Sequence, residues 1–99
     1  MTIEILDLAR DDLIAGFEFY EEREEGVGSH FLECLYRDLD ALKITGGTHR
    51  KAHRAFHRAL SKVFPFAIYY TLDQDIVRIR AVVDCRRDPL WIEGHLEMP

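Results

Sequence analysis

The chain has 99 residues, of which 47% are apolar and 31% are charged, a composition that is ordinary for a folded domain. This length suits one hydrophobic core, so we expect a single domain over residues 1–99. No apolar run approaches the ~20 residues that cross a bilayer, and the N-terminus lacks the pattern of a secretory signal. Cys34 and Cys85 are too few for a disulfide framework, so we expect a cytoplasmic protein with reduced thiols.

Charge is distributed unevenly along the chain. The net charge is −5, but residues 1–42 hold twelve acidic and three basic residues, whereas residues 43–99 hold six acidic and ten basic residues. The first part therefore carries −9 and the second carries +4. Such a separation is informative about partners rather than about the fold.

The first 47 residues predict a strand and two helices. Residues 2–6 alternate between apolar and polar side chains, which indicates a strand, and a helix begins at Asp7 as its N-cap. Gly26 and Gly28 predict the end of this helix, and a second helix runs from about Ser29 to the Gly46-Gly47 pair. Because the turn between them is short, the two helices form an antiparallel hairpin.

The second half of the chain predicts strands. Residues 66–72 are β-branched and aromatic, residues 73–75 form a tight turn, and residues 76–85 alternate. Residues 57–62 are a plausible third strand of this meander. Tyr69 and Tyr70 should point to opposite faces, one into the core and one outward. The expected apolar face of the last strand comprises Val77, Ile79, Ala81 and Val83.

These elements, in the order β-α-α-β-β-β, predict an α+β fold. The helical hairpin covers one face of a small, mostly antiparallel four-stranded sheet, and the other face looks outward. Alternation along the strands places four cations on that outward face: Arg58, Lys62, Arg78 and Arg80.

Two segments carry a family resemblance that extends from about Ile3 to Leu96. They are FPFAIYY at residues 64–70 and RRDPLW at residues 86–91. In its order of elements and in these segments the chain resembles the RelE/ParE toxin superfamily, on its ParE-like side. The resemblance implies a helical hairpin on an antiparallel-rich sheet. It also implies the toxin of a type II toxin–antitoxin pair, which a cognate antitoxin neutralises in a hetero-oligomeric complex.

Two targets follow from the two branches of this superfamily. ParE-like members poison DNA gyrase, whereas RelE-like members are ribosome-dependent endoribonucleases that cut mRNA. Ala67 stands where the ribonuclease branch has an arginine, and Trp91 stands near the position of a tyrosine that assists proton transfer. An indole N–H only donates a hydrogen bond, and a net charge of −5 is unfavourable for binding RNA.

We therefore favour a gyrase-binding toxin without catalytic residues, cofactor or metal. The alternatives are a ribonuclease that clamps phosphate with Arg58, Lys62, Arg86 and Arg87, and a non-toxic member that only binds antitoxin. The expected target-binding residues are Arg58, Lys62, Arg78, Arg80, Arg86, Arg87 and Trp91.

Three of these residues also have structural alternatives. Arg86 or Arg87 can pair with Asp84 or Asp88 and fix the end of the strand, and Trp91 can close the core. The antitoxin is expected to lie over the helical hairpin and the sheet edge, on a groove too apolar for a free monomer. The expected antitoxin-binding residues are Leu13, Phe17, Tyr20, Phe31 and Leu35.

His49, His53 and His57 recur at intervals of four residues. On a helix they would be close enough for zinc, but on one strand His53 and His57 would lie ~13 Å apart, too far for bonds of ~2.1 Å. The Gly46-Gly47 pair favours a loop followed by a strand here, without a metal. Contact with phosphate and pairing with antitoxin carboxylates remain open roles.

Overall fold

The computed structural model describes residues 1–98 and contains three helices and a five-stranded sheet in that range. The strand order is β1-β5-β4-β3-β2, with β1 parallel to β5 and every other pair antiparallel. The α+β class is confirmed, with one more strand than predicted and an additional helix at the end. In chain order the elements are β1 Thr2–Ile5, α1 Asp7–Arg23, α2 Val27–Thr45, β2 Lys51–His53, β3 Phe56–Leu60, β4 Phe66–Asp73, β5 Ile76–Asp84 and α3 Pro89–Leu96.

The helical hairpin forms as predicted, with small differences at its ends. Leu6, not Asp7, precedes the first helical residue, and no side chain caps this end of α1. Gly26 has φ +91°, a left-handed conformation that suits glycine, and α2 begins directly after it. A Cβ added to Gly28 would lie 2.7 Å from the carbonyl oxygen of Phe17, so the absent side chain permits the close approach of the helices.

One acidic residue of the run at positions 21–25 stabilises the hairpin turn. The carboxylate of Glu21 accepts hydrogen bonds from the backbone N–H of Gly26 at 3.0 and 3.1 Å and from that of Gly28 at 2.9 Å. These amides belong to the first turn of α2, where backbone N–H groups have no partner within the helix. Glu21 therefore provides the anionic cap that α2 otherwise lacks.

We predict that Glu21→Ala lowers the free energy of unfolding by about 1–2 kcal/mol, because two amide donors lose their acceptor. Urea denaturation followed by circular dichroism measures this loss. Glu22→Ala, at an exposed position in the same acidic run, is the matched control and should change the free energy by less than about 0.5 kcal/mol. Equal effects of the two substitutions would contradict the role of Glu21.

The main core lies between the hairpin and the sheet. Phe31 is fully buried, and a Cβ added to Gly16 would lie 2.5 Å from its Cζ atom. The small residue on α1 therefore leaves the space that the ring on α2 occupies. The buried members of this cluster are Ala9, Leu13, Phe31, Leu35, Leu39, Leu42, Ala59, Phe66, Ile68, Tyr70, Val77, Ile79 and Val82.

The extra strand β2 forms a tight hairpin with β3. His53 pairs with Phe56, and Arg54 in the turn has φ +49°. A two-residue turn of this kind is normally signalled by Asn-Gly or Asp-Gly, and Arg54-Ala55 carries no such signal. The predicted strand at residues 57–62 is confirmed as β3, shifted to residues 56–60. His57 lies on the predicted strand, whereas His53, expected in a loop, lies on the additional strand β2.

An irregularity in β5 corrects the predicted apolar face of that strand. Tyr69 pairs with Ala81 and Tyr70 pairs with Ile79, so Arg80 has no pairing partner on β4 and is the extra residue of a β-bulge in β5. Such a bulge changes the phase of the alternation. Val77 and Ile79 therefore join the main core, whereas Ala81 joins a second cluster on the other face of the sheet.

The second cluster is covered by α3, which the sequence analysis did not predict. Ile92 and Leu96 of this helix are buried against the sheet face that was expected to be open to solvent. Tyr69 is only 5% exposed, so the prediction that one of the two tyrosines points outward is wrong. The buried members of the second cluster are Ala67, Tyr69, Ala81, Val83, Ile92 and Leu96.

Candidate functional site

The seven predicted target-binding residues do not form one patch. Arg58 and Arg87 line the same cavity beneath α3, while Arg78 and Arg80 lie farther along the second face of the sheet. Lys62 follows β3, where its backbone N–H lies 3.3 Å from the carboxylate of Asp38 on α2. The structure therefore divides the predicted surface into separate sites with different surroundings.

Arg86 is occupied by an ion pair. Its Nε and Nη2 atoms donate to the two carboxylate oxygens of Asp84 at 2.9 and 2.6 Å. These hydrogen bonds from Arg86 lower the pKa of Asp84 below its usual range, and the same contact raises the pKa of Arg86. The structural alternative for this arginine, in which it fixes the end of the last strand, matches the observed contacts.

Arg87 and Trp91 form an exposed cationic and aromatic pair. The guanidinium carbon of Arg87 lies 3.9 Å from the centroid of the indole ring, a cation–π geometry. The Trp91 ring also stacks on the ring of His95, with the centroids 4.6 Å apart. Trp91 is 39% exposed, so the alternative in which it closes the core is wrong. The core contacts of α3 come from Ile92 and Leu96 instead.

The start of α3 carries a signal that sequence reasoning missed. The carboxylate of Asp88 accepts a hydrogen bond from the backbone N–H of Leu90 at 2.8 Å, and Pro89 occupies the first turn. An aspartate followed by proline is a favourable helix start. Recognising Asp88 and Pro89 as a helix start would have predicted that Trp91 lies in the first turn of a helix and that Arg87 directly precedes it.

Asp12 attaches α3 to the rest of the fold, a role that the sequence did not indicate. One carboxylate oxygen accepts from Nε2 of His95 at 2.8 Å, and the other accepts from the backbone N–H of Val82 at 2.9 Å. The side chains of Asp12 and His95 are only 11% and 12% exposed. Burial raises the pKa of Asp12, although the contacts with Val82 and His95 oppose this effect.

A cavity of about 220 Å³ lies between α3 and the sheet. The phenol oxygen of Tyr69 accepts from Nε of Arg58 at 3.1 Å, and Arg87 and Cys85 also line the space. Nε2 of His53 is buried beside it without a hydrogen-bond partner, 3.6 Å from a carboxylate oxygen of Glu97. Two guanidinium groups and a phenol around one cavity can bind an anion.

His49 and His57, the other two members of the histidine series at intervals of four residues, support the main core. Nδ1 of His49 lies 2.6 Å from the hydroxyl of Tyr70, which also accepts from the backbone N–H of Gly47 at 3.0 Å. His57 stacks on the Tyr70 ring with centroids 5.0 Å apart, and its Nδ1 lies 2.7 Å from the carbonyl oxygen of His49. Among residues 1–98, no three His, Cys, Asp or Glu side chains are placed to hold a metal ion.

The predicted antitoxin-binding set needs a correction. Leu13, Phe31 and Leu35 are at most 1% exposed and pack in the main core, where a partner cannot reach them. The apolar stripes of α1 and α2 that suggested a binding surface face the sheet instead. Phe17 and Tyr20 are half-buried and are the two members of the set that reach solvent.

A cleft between α1 and α3 provides apolar surface that is open to a partner. It has a volume of about 300 Å³, and Phe19 and Trp91 line it together with Arg87. Phe19 is 44% exposed, and the guanidinium of Arg23 lies 4.2 Å from its ring centroid. We call this the α1–α3 cleft. Each of its two aromatic rings is flanked by an arginine, and aromatic residues and arginine are enriched at protein interfaces.

Comparison with known proteins identifies the fold. No protein-family model matches the sequence, and a search of curated proteins finds no significant match. A solved structure titled "Chromosomal ParDE TA system from P. aeruginosa" superposes with a TM-score of 0.77 and covers 85% of this chain and 95% of the matched chain. The chain has a RelE/ParE-like fold. The architecture that the family resemblance implied is thereby confirmed.

Sequence identity in this superposition is only 11%, so the likeness concerns the fold. This fold positions α3, the second sheet face and the α1–α3 cleft, but it does not assign their partners. None of the helices within residues 1–98 is long and apolar enough to cross a membrane.

Proposed function

We propose that the chain is the toxin of a type II toxin–antitoxin pair and acts in the cytoplasm under the control of a cognate antitoxin. The observation that carries this proposal is the RelE/ParE-like fold, shared over 85% of the chain with a structure described as a ParDE toxin–antitoxin system. The exposed α1–α3 cleft supports it, because an aromatic surface of this kind is typical of a protein that is bound by a partner.

The proposed target is DNA gyrase, and the proposed contact is the N-terminal end of α3. Leu90 is 76% exposed beside Trp91, and Arg87 lies over the indole ring. Trp and Arg are enriched among the residues that carry most of the binding energy at interfaces. A protein target also suits the acidic N-terminal part of the chain, which would repel nucleic acid.

We predict that the purified chain inhibits DNA supercoiling by gyrase and that Trp91→Ala raises the concentration for half-inhibition at least ~10-fold. Arg87→Ala should have a similar effect, because it removes the cation that covers the ring. Arg37→Ala, at an exposed position on α2, is the control and should inhibit like the unchanged chain. Unimpaired supercoiling at micromolar concentrations of the chain would refute the gyrase target.

A ribosome-dependent ribonuclease is the second candidate, and the cavity beneath α3 is the observation that favours it. Arg58, Arg87 and the hydroxyl of Tyr69 all line that space, where two cations could hold the phosphate group of mRNA. Lys62 and Arg86 do not belong to this cavity, so the four-residue clamp would be reduced to Arg58 and Arg87.

Arg58→Ala separates the two candidates. Under the gyrase hypothesis this substitution leaves supercoiling inhibition unchanged, because Arg58 bonds to the buried Tyr69 beneath α3, whereas the proposed contact is the exposed surface of Leu90 and Trp91. Under the ribonuclease hypothesis it abolishes cleavage of a translated message in the presence of ribosomes. A chain that binds an antitoxin but has neither activity would be the non-toxic member of the fold.

A further inference from the structure

A groove crosses the part of the second sheet face that α3 leaves open. Two adjoining depressions of about 480 and 590 Å³ share Phe56, Arg80 and Leu96 in their walls. One end lies at the β1–α1 junction, and the other lies at the turn between β2 and β3. We call this the Arg80 groove. It is separate from the α1–α3 cleft and from the cavity beneath α3, because neither of these is lined by Arg80.

Arg80 carries an unmatched charge in this groove. Its half-buried side chain lies on the second face, where Nε donates to the hydroxyl of Thr71 at 3.1 Å. In the described part of the chain, residues 1–98, no carboxylate oxygen lies within 4.0 Å of the Arg80 guanidinium nitrogens. Partial burial of a cation without a counterion is unfavourable, so a bound anionic group would stabilise this arrangement.

Neighbouring arginines on the same face are already paired. Arg78 contacts Asp73 at 2.8 Å and Glu4 at 3.4 Å. Arg54 at the far end of the groove contacts Glu97 at 2.9 Å. The contrast distinguishes Arg80 from these two arginines, because Arg54 and Arg78 are each paired with a carboxylate and Arg80 is not.

We propose that the Arg80 groove binds a segment of a partner protein in which one Asp or Glu is flanked by large apolar residues. The carboxylate would accept two hydrogen bonds from the Arg80 guanidinium, and the apolar side chains would pack on Phe56, Leu96 and Met98. This inference rests on the proposed function in one respect only, which is that the partner would then be the antitoxin.

The groove favours such a peptide over a nucleic acid. Apart from Arg80, the charged residues along its walls are the acidic Asp7 and members of ion pairs, so the groove offers no row of unpaired cations to a backbone that carries a charge at every nucleotide. A peptide can place one charge at Arg80 and neutral side chains elsewhere. The apolar walls also suit side chains of the peptide better than they suit phosphate groups.

Selection from a displayed library of random 12-residue peptides on the immobilised full chain tests the proposal. We expect the selected peptides to share an acidic residue between apolar residues. By fluorescence anisotropy, their affinity should fall at least ~10-fold for Arg80→Met and less for Arg80→Lys, which keeps the charge but not the forked geometry. Arg37→Met on α2 is the matched control and should bind normally. Circular dichroism checks that each variant is folded.

Three results would overturn the proposal: selected peptides without an acidic residue, equal affinity for the unchanged chain and Arg80→Met, or tighter Arg80-dependent binding of a 20-nucleotide single-stranded RNA. Gyrase inhibition by the unchanged chain is measured separately. Peptide binding without gyrase inhibition leaves the groove assigned and refutes the gyrase target. Gyrase inhibition with no Arg80-dependent peptide refutes only the groove.

Discussion

Phe31→Ala is expected to lower the free energy of unfolding by about 3–5 kcal/mol, the range for removing a buried aromatic ring. Phe31 is fully buried, and its ring centroid lies 4.8 Å from that of Phe66, 5.2 Å from that of Phe64 and 5.3 Å from that of Tyr20. The substitution would leave a cavity at the centre of these contacts, because Gly16 on the facing helix has no side chain to fill it.

Urea denaturation measures this loss, and Phe19→Ala is its matched control. Phe19 is also an aromatic residue of the hairpin, but it is 44% exposed, so we expect a loss below about 1.5 kcal/mol. The comparison also tests the two roles considered for the hairpin. A Phe31→Ala variant with unchanged stability and weakened antitoxin binding would restore the binding role and contradict the core position.

Asp12→Ala is expected to cost about 2–4 kcal/mol and to loosen α3. The backbone N–H of Val82 loses its acceptor, and His95 loses the carboxylate that holds it against α1. An unsatisfied buried donor alone costs about 1–3 kcal/mol, and disruption of a buried pair costs more. Amide hydrogen exchange should show faster exchange in α3, while the amides of α2 stay protected.

Asp11→Ala is the control, because Asp11 is an exposed neighbour on the same helix, and we expect a change of less than about 0.5 kcal/mol. Equal exchange in α3 of the Asp12→Ala variant and the unchanged chain would contradict the anchoring role. The gyrase assay adds a functional measurement, because a loosened α3 would no longer present Trp91 in a fixed orientation.

The Asp12 carboxyl also predicts a pH dependence. Burial raises its pKa in the folded chain above the ordinary value of 3.8, so the folded state retains the proton to higher pH than the unfolded state. The stability contributed by this raised pKa is fully present below pH 3.8 and is lost as the pH rises through the folded-state pKa. The amide in the Asp12→Asn variant does not titrate, so this variant should lack the decline in stability with rising pH. His95 and Asp11 are unchanged in it.

Local patterns predicted the helical hairpin and the two long strands. Gly26 fixes the hairpin turn through its backbone conformation, and the aromatic and β-branched residues of β4 favour a strand wherever they pack. The β2–β3 hairpin was missed because Arg54 adopts a left-handed conformation without the residues that usually signal one. The bulge at Arg80 was missed because strand pairing, and not local sequence, determines where an extra residue is accommodated.

The candidate site was predicted less completely than the fold, for a physical reason. Alternation placed Arg78 and Arg80 on the second face, but it could not show that Asp73 and Glu4 neutralise only the first of them. The pair of Asp12 and His95 joins residues 83 positions apart, which no local pattern predicts. Phe31 was assigned to a binding surface because an apolar helix stripe does not reveal whether it faces the core or a partner.

The bulge at Arg80 has a consequence for how a short chain builds two apolar layers. With strict alternation Val77, Ile79, Ala81 and Val83 would all face the helices, but the phase change leaves only Val77 and Ile79 there and lets Ala81 and Val83 fill the opposite side. Because the opposite layer is small, an eight-residue helix is enough to shield it. The remainder of that side of the sheet is not shielded by α3, and the half-buried guanidinium group of Arg80 lies in this uncovered region.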